Sequence, residues 1–122
     1  MNLQNYSLTD LNTFKDIKSK ELENFKTLKN TPPFLHGVLK TLKLEILEIE
    51  DKIKFINLNI FLKSQIKLCE GSKLYSFAEF YRNILKNQIN LSQLDFKNLI
   101  NLNIKKSNVY YLSELLSIKN KL

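Results

Sequence analysis

The sequence predicts an all-α protein, a bundle of three or four helices with one long central helix. Breakers are scarce: two prolines and two glycines, at positions 32, 33, 37 and 71 of 122 residues. An all-β domain needs a turn about every ten residues, and this chain lacks the residues that make them. Apolar residues recur instead at three- and four-residue intervals over long stretches. Hydrophobic residues make up 43% of the chain, enough for a core without disulfides or a structural metal.

The first helix is expected over about Leu8–Leu28. Ser7 and Asp10 have the spacing of a capping box, in which the hydroxyl meets an orphan amide and the carboxylate reaches back. Leu8, Leu11, Phe14, Ile17, Leu22, Phe25 and Leu28 supply one broad apolar side. Thr31-Pro32-Pro33 marks the start of the second helix: threonine caps well, and proline at the next position lacks only an N–H that would be unpaired. This helix should run to about Cys69 and end at Gly71, which suits a left-handed C′ position.

Leu39, Leu42, Ile46, Ile49, Ile53, Ile56 and Ile60 form an unbroken 3-4 seam on this helix. Ile49, Ile53 and Ile56 are its expected interior positions. Glu48 with Lys52 and Glu50 with Lys54 sit one turn apart in the favourable order. A second apolar stripe, Leu44, Leu47, Phe55, Leu58 and Leu62, would stay wet in a two-stranded coiled coil. That favours the buried spine of a bundle, with part of the stripe facing a partner subunit.

A third helix is expected over roughly residues 73–87, with Leu74, Phe77, Tyr81 and Ile84 at bundle spacing and Ser76 and Glu79 as a capping pair within it. From Asn90 the pattern is ambiguous. Ser92 and Asp95 read as another helix start, whereas Asn108-Val109-Tyr110-Tyr111-Leu112 suits a strand as well as a helix. The chain therefore divides into a helical bundle over 1–90 and a C-terminal appendage over 91–122, either helix-turn-helix-like or the start of a truncated β element.

Residues for chemistry are few. His36 is the only histidine and Cys69 the only thiol, so no cluster has metal-ligand spacing. Cys69 reads as a small buried hydrophobe and His36 as a polar residue near a helix start. Two glycines 34 positions apart make no phosphate loop. Glu45, Glu48, Glu50 and Asp51 interleave with lysines as a solvated face. No enzyme activity, catalytic residue, metal or cofactor is expected. A single cysteine and the lack of a leader or a long apolar run point to an intracellular protein that does not enter membranes. It would be nuclear in a eukaryote and cytoplasmic in a prokaryote. A membrane-surface helix is disfavoured by the mixed charges of the second helix and the absence of Trp.

The net charge of +7 is uneven. Residues 1–60 hold nine Lys against eight Asp and Glu, and residues 61–122 hold ten Lys and Arg against four. A basic half marks a nucleic-acid or acidic-protein partner. Drift in an AT-rich genome, signalled by abundant Lys, Asn and Ile, gives the same bias without any partner. Arg82 is the only arginine among nineteen cations and so the only candidate for bidentate contacts.

Residues 95–114 fit a DNA-binding helix-turn-helix. Asn103, flanked by Leu102 and Ile104, would take positive φ at the turn, and Val109 and Leu112 would anchor the second helix. Lys105, Lys106, Ser107, Asn108 and Tyr111 would then face the groove. Leu99 stands where such motifs carry a small residue, and chance matches are common in Leu/Ile-rich helices.

The order of segments carries a resemblance. Pro32-Pro33-Phe34 precedes a long helix with the basic end Phe61-Leu62-Lys63-Ser64-Gln65-Ile66-Lys67. After a break come Leu74-Tyr75-Ser76-Phe77-Ala78-Glu79-Phe80-Tyr81 and then Ser107-Asn108-Val109-Tyr110-Tyr111-Leu112. Over about residues 8–112 this layout resembles the helical A-domain of GINS replication-complex subunits. Lys63 replaces the arginine typical there, and too few residues follow for the full β-rich B-domain of some members. The resemblance implies a non-enzymatic scaffold in a DNA-replication helicase assembly and a strand beginning near Val109; the partner surface on Leu44, Leu47, Phe55, Leu58 and Leu62 is expected from the apolar stripe itself. The alternative is a small DNA-binding protein that uses Lys105 to Tyr111.

Overall fold

The computed structural model describes residues 3, 6–26, 35–106 and 109–122. These form five helices: α1 (Leu8–Lys26), α2 (Leu35–Gly71), α3 (Tyr75–Asn90), α4 (Gln93–Lys106) and α5 (Val109–Asn120). No described residue is in a strand. The expected start of α2 at Thr31-Pro32-Pro33 lies outside the described residues. At 37 residues α2 is the longest helix, about 55 Å at 1.5 Å per residue. Of the segment that could have been a strand, Val109–Leu112 is the first turn of α5, and Asn108 lies outside the described residues.

Local chemistry accounts for several ends. The Ser7–Asp10 box is closed: the Ser7 amide donates to Asp10 Oδ2 at 3.3 Å, and the Asp10 amide donates to Ser7 Oγ at 3.2 Å. Ser92 caps α4, its Oγ accepting from the Asp95 amide at 3.1 Å. Ser76 does not cap α3, which begins at Tyr75 after an N-cap Leu74 without a side-chain hydrogen bond. Glu79 instead accepts from Arg82 at 3.1 Å.

The end of α2 departs from expectation. Gly71 is still helical, and the left-handed residue is Lys73, with φ 59°. The Leu74 amide donates to the Cys69 carbonyl at 2.8 Å and the Lys73 amide to the Glu70 carbonyl at 3.2 Å. These two bonds make a Schellman motif with Lys73 at C′, where glycine is usual. The helix runs two residues further than its glycine suggested because this pair satisfies its last carbonyls.

The chain divides into two compact units, residues 1–53 and 54–122. The first holds α1 and the start of α2. Lys15 meets Glu50 at 3.6 Å and Lys18 meets Glu45, so the two segments run antiparallel. Two of the acids expected on a solvated face thus pair across this hairpin, Glu50 with Lys15 although Lys54 lies one turn on. Leu3, Leu11, Leu42 and Ile49 are buried, and Tyr6 meets Phe14 edge-on at 4.9 Å. Ile17, expected on the buried side of α1, is exposed.

The second unit has one core: Leu58, Leu62 and Cys69 of α2, Ala78, Tyr81 and Ile84 of α3, Phe96 and Ile100 of α4, and Leu115 and Ile118 of α5. Phe96, Ile100, Leu115 and Ile118 belong to this core, and the boundary between units lies at residues 53 and 54, away from the division expected at residue 90. Phe55 meets Phe96 edge-on at 5.9 Å. Gln88 is 2% exposed. Its Nε2 donates to the Phe55 carbonyl at 2.9 Å, and its Oε1 accepts from Asn59 Nδ2 at 3.1 Å, tying α3 to α2.

The stripes of α2 are each buried over only part of the helix. In the first unit the seam is covered: Leu42 and Ile49 are buried, and Leu39, Ile46 and Ile53 half-buried. In the second unit the seam is less covered, with Ile56 half-buried and Ile60 exposed, while Leu58 and Leu62 of the other stripe are fully buried. Neighbours shield one face of a helix at a time, and α2 has different neighbours in each unit.

Candidate binding surfaces

The five residues expected to face a protein partner do not form one surface. Leu44 and Leu47 are 52% and 55% exposed, three residues apart on one side of α2. Phe55 packs against the second core, and Leu58 and Leu62 have no exposed surface. Only the first pair is open to a partner. The last three are on the stripe by periodicity but are consumed by the core of the second unit.

The nucleic-acid set is also divided. Lys105 and Lys106 are exposed in the last turn of α4. Ser107 and Asn108 lie outside the described residues. Tyr111 is half-buried, its ring stacked on Phe80 at 4.6 Å and 4° between planes. Asn103 is inside α4, and Lys73 alone among described non-glycine residues has positive φ. The tight turn expected at Asn103 is therefore absent, and α4 continues to Lys106 because Phe96 and Ile100 anchor it in the core. α4 still packs against α5. Arg82 is held by Glu70 and Glu79. The hydrogen bond that Arg82 donates to Glu70 is the largest of the influences holding the guanidinium pKa above its ordinary value.

Charge sorts by unit. Residues 1–53 carry eight Lys and eight Asp and Glu, whereas 54–122 carry eleven Lys and Arg and four Asp and Glu. The whole +7 thus belongs to the second unit.

That unit holds a cleft of about 340 Å³. Phe80 and Tyr111 form one wall with Ile84 and Leu115, and Asn83 and Asn87 of α3, Asn103 of α4 and Lys106 supply the polar lining. Asn83 and Asn87 are one turn apart and so share a face of α3; Asn103 and Lys106 do the same on α4. The sequence reading missed this cleft. Its signal was two polar pairs at helical spacing, legible only once both were known to lie on facing helices.

Two further polar groups mark the interior. Burial first, then the carboxylate of Glu114 and Cys69, raise the Tyr81 pKa above its ordinary value. Glu114 Oε2 is buried without a hydrogen-bond partner among the described residues. Cys69 is buried and His36 exposed, each within its own unit. Among the described residues no group of three His, Cys, Asp or Glu could hold a metal ion, and no helix is long and apolar enough to cross a membrane. Comparison with protein-family models, with curated proteins and with solved structures gives no match.

Proposed function

We propose that this protein is a non-enzymatic helical subunit that binds a protein partner through the first unit. The observation that carries the proposal is the exposed pair Leu44 and Leu47 on α2. A leucine left half in water forgoes about half of the ~1.5–3 kcal/mol that full burial returns, and a partner surface recovers it. Glu45 and Glu50, on the same helix and paired with Lys18 and Lys15 of α1, give that surface a polar border. The narrower form of the reading is a GINS-like component of a DNA-replication helicase assembly, and it rests on segment order. The strand that this order called for is helical in α5, so the general form is the better supported.

The test is affinity purification of the full chain from its host with mass spectrometry, beside a Leu44→Glu/Leu47→Glu variant. Wild type should retain a defined set of proteins that the variant loses while its helical circular dichroism and melting stay unchanged. Replication subunits in that set support the narrower form. Identical recovery by the folded variant refutes the assignment of the surface. A sharp monomer in light scattering at high concentration, with no protein retained, refutes the subunit reading.

A further inference from the structure

The geometry points to the cleft between α3, α4 and α5 as a binding site for a nucleotide, a nucleobase bearing a phosphate. This inference stands apart from the protein-partner surface, which lies in the other unit. Three carboxamides converge on the cleft: Asn83 and Asn87 from α3 and Asn103 from α4. A carboxamide offers a donor and an acceptor side by side in one plane, the pattern that pairs with the edge of a base. Asn87 and Asn103 are half-buried, and none of the three side-chain carboxamides has a hydrogen bond to another described residue. Asparagine is a poor helix former, so a cluster of three inside helices weakens those helices for no internal contact.

The stacked Phe80–Tyr111 pair makes one wall of the cleft aromatic and stiff. Further edge-on contacts of Tyr111 with Phe77 and Tyr110 hold the ring in place. A planar ring fits such a wall, and a bulky aliphatic group does not. Lys106 supplies a point charge on the lining, suited to a phosphate. The +7 of the second unit raises the local concentration of anions around it. The volume is within the range of small-ligand sites, at their lower end.

A free mononucleotide and one nucleotide of a single strand present the same chemistry. The ¹⁵N-labelled full chain is titrated with adenosine monophosphate, with inorganic phosphate and with a short single-stranded oligodeoxyadenylate. The side-chain amide signals of Asn83, Asn87 and Asn103 should shift saturably with the mononucleotide and not with phosphate alone. Asn87→Ala, which places a strong helix former in α3, and Lys106→Gln should each weaken binding about tenfold or more while leaving the melting curve intact. Oligonucleotide binding more than about tenfold tighter identifies a strand as the source, and equal or weaker binding identifies the free nucleotide. The inference is overturned by any of three results. Saturable amide shifts could be missing for both nucleotide probes up to about 10 mM. Phosphate alone could reproduce them, or the folded variants could bind as wild type does.

Discussion

Gln88 offers the sharpest test of how the second unit is held together. It is a polar side chain 2% exposed at a position where the seam Phe77, Tyr81, Ile84 calls for an apolar residue. Both ends of its amide are used, on the Phe55 carbonyl at 2.9 Å and Asn59 Nδ2 at 3.1 Å. Replacing Gln88 with Met keeps the length of the side chain and removes both polar ends. Two hydrogen bonds at about 0.5–1.5 kcal/mol net each predict a loss of about 1–3 kcal/mol. The Phe55 carbonyl keeps its place in the helix, so most of that loss falls on the Asn59 amide left part-buried. In a domain of this size each kcal/mol lowers Tm by about 3–6 °C. The assay is urea and thermal melting by circular dichroism on Gln88→Met, Asn59→Ala and the double variant. The cycle should return about 0.5–1.5 kcal/mol of coupling between the two residues. A Gln88→Met protein as stable as wild type, with additive single effects, would refute the claim that this network fastens α3 to α2.

Ile49→Ala, at a site with no exposed surface, should destabilise the first unit by about 2–5 kcal/mol in denaturant melts; a loss within error of zero would remove Ile49 from that core. Lys73→Gly should stabilise by about 0.5–1 kcal/mol, because glycine takes positive φ without the Cβ clash that a lysine bears, less its greater freedom when unfolded; a destabilised variant would contradict the Schellman end of α2. Burial, aided by Glu114 and Cys69, holds the Tyr81 hydroxyl above its ordinary value of 10.0. The unfolded chain therefore releases this proton first, and the stability present below that pH is lost as pH rises through the folded value. Melts above and below pH 10 should show an alkaline loss of at most about 1.4 kcal/mol per pH unit from this group, absent in Tyr81→Phe; identical pH profiles would refute it.

Much of the helical order was legible. The closed Ser7–Asp10 box and the Ser92 cap were visible as residue spacings, and so were the helices that follow them. The candidate surfaces were less legible. Periodicity put Leu44, Leu47, Phe55, Leu58 and Leu62 on one stripe, yet Leu44 is half exposed and Leu58 fully buried. Asparagine at position 103 satisfied the chemistry of a turn, but the anchoring of Phe96 and Ile100 carried the helix past it. Tyr111, read as a base-facing residue, has its ring on Phe80. Gln88 was detectable as a polar residue on the apolar seam of α3, although its partners were not.

By itself the sequence determined what interactions within about four residues decide: a chain helical up to about residue 90, two of its caps, and a long α2 bearing two apolar stripes. Tertiary structure alone decided which stripe is covered in each unit and that Val109–Leu112 is helical. It also decided which asparagines meet in one cleft. The reason is physical. A cap or an i,i+4 pair is completed by the chain's own near neighbours, whereas burial is conferred by groups distant in sequence. A helix with two apolar faces offers both equally until those groups arrive.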